Sequence, residues 1–135
     1  MNVRVATAAD VDDIVTLWRK GGVDHDSVQD RHEIVAKLDV DGDLFLVLHN
    51  DDGALVGSVM GTYDGHRGRI KRAVVDPDCQ GAGIGRRLVR ELERRFLQRG
   101  ITELRLEVWA SNTGALAFWT EMGWEHLQDL SLIHI

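Results

Sequence analysis

A glycine-rich stretch between an apolar run and a long amphipathic segment is the part of this sequence best suited to chemistry. Gly81, Gly83 and Gly85 follow Val-Val-Asp-Pro and precede apolar positions at helical spacing. Glycine lacks the Cβ that would block a close approach, so this loop can turn several backbone N–H groups toward one point. The helix that follows adds its unpaired first-turn N–H groups and the positive end of its dipole. The pattern predicts an anion site, most often one for phosphate or pyrophosphate.

The spacing of the glycines separates the kinds of phosphate loop. A P-loop needs Lys-Ser or Lys-Thr after the last glycine, where this chain has Arg86-Arg87. A dinucleotide loop needs G-x-G-x-x-G, and counting from Gly81 the third glycine comes one residue early. The spacing that fits is Q-x-x-G-x-G, with Gln80 as its first residue. After Val-Val-Asp-Pro, this motif resembles the acyl-CoA pyrophosphate loop of the GNAT acetyltransferase superfamily. The alternative is a glycine-rich turn that binds nothing.

Length and composition are those of one ordinary globular domain, residues 1–135. The chain is 44% hydrophobic and 28% charged, with a single proline, which leaves little room for a linker. The N-terminal residues lack a long apolar segment, so we expect neither a signal peptide nor a membrane span. Cys79 is the single cysteine, which excludes an intrachain disulfide and fits a cytoplasmic location. We interpret it as a plain loop residue, since no histidine lies near it in sequence.

The net charge of −6 is unevenly distributed. Residues 1–60 carry 12 acidic and 5 basic side chains, whereas residues 61–135 carry 10 and 11. The half that contains the glycine loop is the more basic one, as a phosphate-rich ligand requires. The acidic half disfavours nucleic acid as a partner.

Hydrophobic periodicity predicts a mixed α/β domain with the order β-α-α-β-β-β-α-β-α-β. Thr7 and Asp10 indicate the start of the first helix, and Gly21-Gly22 its end. The second helix is expected from about Val28 to Leu38. The third begins at Ile84 and stops before Gly100, and Ser111 or Asn112 caps the last. The tail, residues 124–135, is interpreted as one or two final strands.

That order, with the glycine loop between the fourth strand and the third helix, is the GNAT order. A second stretch supports the resemblance, because Glu107 to Trp124 is similar to the family's N-x-x-A-x-x-[aromatic]-Tyr-x-x-x-Gly-Phe segment. The resemblance implies a mixed, mostly antiparallel central sheet of six to seven strands flanked by about four helices. Details such as Phe45-Leu46-Val47 most resemble the small YpeA-type bacterial acetyltransferases.

The resemblance also implies which residues bind the pantetheine and pyrophosphate of acetyl-CoA. Gln80 would brace the loop whose backbone takes the pyrophosphate. The strand before it would present backbone N–H groups to the thioester carbonyl and pantetheine, where they could stabilise an oxyanion. Asn112 would contact the pantetheine arm, and a helix N-cap is an equally good interpretation of this residue. The implied cofactor-binding residues are Ala73, Val74, Val75, Gln80, Gly81, Ala82, Gly83, Ile84, Gly85, Arg86 and Asn112.

Two residues are candidates for catalysis. Acyl transfer to nitrogen needs a neutral amine and therefore a base. Glu107 matches the position of the base in the ribosomal-protein N-terminal acetyltransferases, although a solvated salt bridge with Arg105 is the alternative. Trp119 stands where the family usually has tyrosine, whose hydroxyl protonates the leaving thiolate. An indole N–H donates a hydrogen bond but cannot supply that proton.

The sequence thus predicts an acetyl-CoA-dependent N-acetyltransferase that acts by direct attack of an amine, without a metal. The acceptor class is open, from a protein N-terminus to a small-molecule amine. Trp119 motivates a second hypothesis, a catalytically weak acyl-CoA sensor or interaction module on the same fold. A nucleotide-binding regulator fits the glycine loop but not its spacing. Asp39, Asp41 and Asp43 alternate as in a calcium loop but lack the turn glycine. Edge pairing of the tail strands would give a homodimer.

Overall fold

The computed structural model describes residues 2–21, 27–107, 113–126 and 132–134. Within these ranges the chain forms four helices and seven strands, besides short 3-10 turns at Ala8–Asp10, Gly42–Leu44 and Pro77–Cys79. In chain order the elements are β1 (Asn2–Val5), α1 (Val11–Lys20), α2 (Ser27–Asp41), β2 (Phe45–His49), β3 (Leu55–Tyr63), β4 (Gly68–Val75), α3 (Ile84–Gln98), β5 (Leu104–Glu107), α4 (Thr113–Glu121), β6 (Glu125–His126) and β7 (Leu132–His134).

The strands form one mixed sheet in the order β1-β2-β3-β4-β5-β7-β6. Neighbouring strands are antiparallel except β4 and β5, which run parallel. This confirms a mixed α/β fold. The predicted element order is corrected at its end, because two strands follow α4 where that order has one. β6 is only two residues long, which is too short for alternation to reveal it.

The helices cover both faces of the sheet and create two cores. α1 and α2 lie on one face, where Trp18, Ile34 and Met60 are buried. α3 and α4 lie on the other, where Phe96 and Trp119 belong to the larger core. α1 and α3 each bury a stripe of apolar side chains against the strands, which is why helical periodicity located them.

α2 is longer than predicted, ending at Asp41 and not at Leu38. Leu38 is the last apolar residue of the helix that packs against the core, whereas Val40 is 78% exposed. Because no apolar residue of the helix is buried after Leu38, hydrophobic spacing could not mark its end.

β4 carries a bulge that changes the face to which its side chains point. Ser58 pairs with Val74 and Met60 with Lys71, so two residues of β4 oppose one residue of β3. In a regular strand, residues four apart share a face. Here Ile70 packs in the core below α3, whereas Val74 packs in the core below α1 and α2.

Candidate functional site

Asp76 fixes the start of the loop between β4 and α3. Its Oδ2 accepts a hydrogen bond from Lys20 Nζ at 2.8 Å, and its Oδ1 accepts one from the Asp78 backbone N–H at 2.9 Å. The ammonium of Lys20, and then this backbone donor, lower the pKa of Asp76 below its ordinary value. Since Lys20 is the last residue of α1, the ion pair ties that helix to the loop.

Two glycines give the loop its shape. Gly81 has φ 90° and Gly83 has φ 77°, a left-handed region in which side chains with a Cβ are strained. A Cβ added at either position would meet nothing within 4 Å. A side chain at either glycine would therefore project into open space in front of the loop.

The first turn of α3 follows this loop directly. Gly83 is the N-cap of the helix, and its carbonyl accepts the Arg87 N–H at 3.0 Å. The N–H groups of residues 84–86 stand ahead of that helical hydrogen bond. Together with the helix dipole they provide partial positive charge at the open loop, which is what an anion needs.

A cavity of about 980 Å³ extends from the loop across the sheet to α4. One wall is formed by Gly81, Gly83 and Arg86 from the loop and α3. Gly85 lies where α3 approaches α4, because a Cβ added to it would be 3.3 Å from the Phe118 ring. Further lining residues among those described are Gly21, Ser58, Val59, Ala73, Val74, Val75, Gln80, Ile84, Leu88, Val89, Gly114, Ala115, Phe118, Trp119, Glu121 and Met122.

The edge of β4 borders this cavity because β5 diverges from it. Within the described residues, β4 and β5 pair only at Gly68 and Arg69 of β4, while later residues of β5 pair with β7. At the other end of β4, the Asp76 N–H donates to the Val56 carbonyl of β3 at 2.8 Å. Amides alternate in direction along an antiparallel pair. Val75 therefore directs its N–H group toward the side from which β5 has departed. Ala73 lies in the bulge, where this alternation is interrupted, but the Arg72 carbonyl of the same peptide accepts a hydrogen bond from Ser58 Oγ of β3 at 3.4 Å. Because the N–H and C=O of a trans peptide point in opposite directions, the Ala73 N–H points away from β3.

A polar network lies at the bulge on the α1 and α2 face. The Arg72 guanidinium is 4.6 Å from the centre of the Trp18 ring, and it contacts two acidic side chains of α2. Trp18 Nε1 donates to Ser58 Oγ at 2.9 Å, and Ser58 Oγ donates to the Arg72 carbonyl at 3.4 Å. Ser58 also lines the cavity, so the network and the cavity meet at this residue.

Trp119 both lines the cavity and belongs to a core. It is 5% exposed and makes edge contacts with the rings of Phe118 and Trp124, each at 5.1 Å between centroids. The sequence predicted the position but not the packing, although both aromatic partners lie in the same segment, because the motif does not show which rings contact one another. A role in catalysis stays a prediction.

The other predicted catalytic and binding residues are less fully described. Glu107 ends β5 in register with Leu132 of β7, and its side chain lies outside the described part of the chain. Asn112 also lies outside it, as do the helix cap interpretations for residues 111 and 112. Among the residues that are described, no cluster of three or more histidine, cysteine, aspartate or glutamate side chains could hold a metal. None of the described helices is long and apolar enough to cross a membrane.

The predicted site residues that the structure describes lie on the loop, on the β4 edge and at Trp119, and these three parts meet at one cavity. Among the described residues that the sequence predicted to bind the cofactor, Ala82 is the one that does not line it. Sequence reasoning missed Phe118, Ser58 and the Arg72 network. Phe118 had a signal, since it lies one residue before Trp119 on the same predicted helix. Arg72 had none, because its acidic contacts come from a helix about 40 residues away.

Comparison with known proteins places this geometry in context. Residues 11–124 match the family model described as Acetyltransferase (GNAT) family. Among similar solved structures is the PaiA N-acetyltransferase of Thermoplasma acidophilum in complex with coenzyme A, which is 17% identical with a TM-score of 0.82, covering 98% of this chain and 96% of that one. The ribosomal-protein-alanine N-acetyltransferase of Brucella melitensis is 22% identical with a TM-score of 0.79, covering 99% and 97%. The ribosomal-protein-S18-alanine N-acetyltransferase of Escherichia coli is 20% identical with a TM-score of 0.80, covering 98% and 90%. At these identities the structural likeness concerns the fold alone.

Proposed function

The chain belongs to the GNAT acetyltransferase family, and on that premise we propose that it transfers an acetyl group from acetyl-CoA to a primary amine. Membership confirms the resemblance read from the glycine loop and from the segment Glu107 to Trp124. The YpeA-type subgroup and the cytoplasmic location stay predictions. The observation that carries the proposal is the glycine loop, which opens at the start of α3 into a cavity bordered by the β4 edge.

The residues present fit the pyrophosphate of CoA. Side chains at Gly81 and Gly83 would fill space that is open in this structure, and the N–H groups of the first α3 turn face the same loop. Arg86 adds a permanent positive charge beside them. The roles of Gln80 as a brace of the loop and of Asn112 as the pantetheine contact rest on the resemblance alone.

When bound, acetyl-CoA supplies an activated acyl group and a thiolate leaving group whose pKa is about that of a cysteine thiol, near 8.5. The chain's part is to hold the carbonyl oxygen and to receive a proton from the amine. N–H groups of Ala73 and Val75, on the side left by β5, are suited to an oxygen that gains negative charge. Val74 would contribute by packing, since its side chain is buried below α1 and α2.

The proton chemistry favours an acceptor amine of low pKa. Deprotonating a lysine side chain of pKa about 10.4 costs roughly 4.6 kcal/mol at pH 7, whereas an α-amine near 8 costs only about 1.4 kcal/mol. A carboxylate such as Glu107 is a weak base and is better matched to the second case. We therefore propose a protein N-terminus or a small-molecule amine as acceptor, with Glu107 as the base.

One observation favours a second candidate function. Trp119 is buried between two aromatic rings at the position where a proton donor is usual. Without that donor the cavity could bind acyl-CoA and turn it over slowly or not at all. The alternative is therefore an acyl-CoA sensor or interaction module on the same fold.

Turnover and binding together distinguish these functions. Wild-type protein should release CoA thiol from acetyl-CoA in the presence of at least one amine from a panel of peptide N-termini, lysine peptides and polyamines. The sensor would bind acetyl-CoA and release no thiol with any of them. Absence of binding would contradict both functions.

A matched pair of glycine variants tests the loop itself. Gly83→Val should abolish acetyl-CoA binding in calorimetry, because the new side chain would stand where the pyrophosphate lies. Gly53→Val is the control, since Gly53 has a similar φ of 82° and equally open surroundings but lies in the β2–β3 turn. Both variants should lose similar stability, and Gly53→Val should bind normally. Wild-type affinity in Gly83→Val would move the cofactor site elsewhere.

A further inference from the structure

Arg72 has an unusual backbone conformation for its residue type. Its φ is 54°, and it is the one non-glycine residue with positive φ in the described ranges. An arginine gains nothing from this left-handed conformation by itself, so the surrounding structure must hold it there. Arg72 lies in the β4 bulge, directly before Ala73.

The side chain of Arg72 is held on the α1 and α2 face by three groups. Its guanidinium stacks on Trp18 of α1, which is fully buried. Its Nε and Nη2 each donate to a Glu33 carboxylate oxygen at 3.2 Å. Its Nη2 also lies 3.5 Å from Oδ1 of Asp30, a residue that is only 2% exposed. A planar guanidinium can stack and donate in two directions at once, which an ammonium cannot.

The main chain of the same residue is held from β3. Ser58 Oγ donates to the Arg72 carbonyl and accepts from the Trp18 indole. Side chain and carbonyl of Arg72 are thus connected through Trp18 and Ser58, and Ser58 is 1% exposed. The orientation of the peptide that follows, which carries the Ala73 N–H, depends on this carbonyl because both belong to one planar unit.

We infer that Arg72 is a positioning residue for the acyl-transfer reaction, an inference that rests on the proposed function. By holding the bulge, it sets the direction of the Ala73 N–H and, through the strand, of the Val75 N–H at the cavity. It also connects these donors to α1 and α2, the helices on the opposite face of the sheet. A change in either helix at Trp18 or Glu33 reaches the reacting carbonyl through Arg72.

Steady-state kinetics of Arg72→Ala, Arg72→Lys and Glu33→Gln test the inference. Removal of an oxyanion donor lowers kcat by ~10²–10³, so a displaced donor should lower it on the order of 10- to 100-fold in Arg72→Ala. The KM for acetyl-CoA should change less than about twofold, because the pyrophosphate loop is untouched. The Arg72→Lys variant should recover only part of the wild-type kcat. Glu33→Gln, the mildest change, should fold and lower kcat severalfold.

Arg99→Ala is the matched control. Arg99 also contacts two acidic side chains, Asp41 and Asp43, but belongs to neither the bulge nor the cavity. It should lower the melting temperature without altering kcat. If Arg72→Ala and Glu33→Gln likewise lose stability and keep wild-type kcat, Arg72 is a structural residue and the inference is wrong, while wild-type turnover upholds the proposed function.

A second readout does not require an acceptor. In 15N-labelled wild-type protein, the amide resonances of Ala73 and Val75 should shift differently with acetyl-CoA than with CoA, because only the former carries the carbonyl. In Arg72→Ala and Glu33→Gln this difference should shrink. Unchanged differences would overturn the inference even if the wild type proves to be a sensor without turnover.

Discussion

Replacing Trp119 by tyrosine and, separately, by phenylalanine reveals whether this position faces the reacting atoms or only the core. The indole is 5% exposed and lies between Phe118 and Trp124, yet it borders the cavity. Both variants keep an aromatic ring and lose the same part of the indole. They differ by one hydroxyl, which is the group that a leaving thiolate could use.

The expected magnitudes follow from that packing. Loss of ring volume at a buried site costs on the order of 1–3 kcal/mol in both variants, or a fall of roughly 3–10 °C in Tm for a chain of this length. A hydroxyl buried against the core without a partner would cost tyrosine about 1–3 kcal/mol more than phenylalanine. A hydroxyl that faces the cavity is free of this penalty and can donate its proton.

Thermal melts and steady-state thiol release measure the two contributions separately. If Trp119 faces the reacting atoms, the tyrosine variant should be as stable as the phenylalanine variant and turn over about tenfold faster or more. It should also match or exceed the wild type. A tyrosine variant that is less stable than the phenylalanine variant, with the same kcat, would refute the placement of Trp119 at the site of chemistry.

Three further changes test the base, an ion pair and the helix–sheet contact. Glu107→Gln should keep acetyl-CoA affinity and lower kcat by ~10²–10⁴; wild-type rates from about pH 6 to 9 would contradict the base role. The Arg4 guanidinium lowers the pKa of Asp10 to about 2. Their ion pair therefore contributes its full stability above the pKa of an unfolded aspartate, near 3.9, and this stability is lost as the pH falls through about 2. Asp10→Asn should cost on the order of 1–2 kcal/mol, allowing for the partly exposed Arg4, and urea midpoints of variant and wild type should converge toward pH 2. Gly57→Ala should lower the free energy of unfolding by ~1–3 kcal/mol, because the new Cβ would lie 2.8 Å from a methyl of buried Leu88. An unchanged urea midpoint would show that α3 can shift at no cost.

Sequence signals predicted the helices whose ends depend on neighbouring residues. α3 begins at Ile84 as expected and ends just before Gly100, whose φ of 78° suits a helix end. α1 ends at Lys20, before the predicted Gly21. In both cases a glycine and a helical stripe of apolar residues lie within one short window, so no distant contact is needed to define the element.

The bulge was not predictable in this way. Ile70 to Val75 is apolar or mixed along its length, and nothing in it shows that two residues will oppose one of β3. That mismatch depends on pairing between strands and on partners of Arg72 that come from α2, 39 and 42 residues earlier. Long-range contacts of this kind determine the edge of the cavity that β4 forms, and the glycine motif alone could locate only the end that the loop lines.

The bulge in β4 separates what the fold needs from what the edge of the cavity needs. Deleting one residue there would make the strand regular and leave Ile70 and Val74 three residues apart, and residues three apart in a strand lie on opposite faces. Ile70 would therefore stay in the core below α3, and Val74 in the core below α1 and α2. Neither core requires the extra residue, so the shortened chain should keep its fold. What it would lose is the left-handed backbone of Arg72 and the contacts that this residue makes beside the cavity.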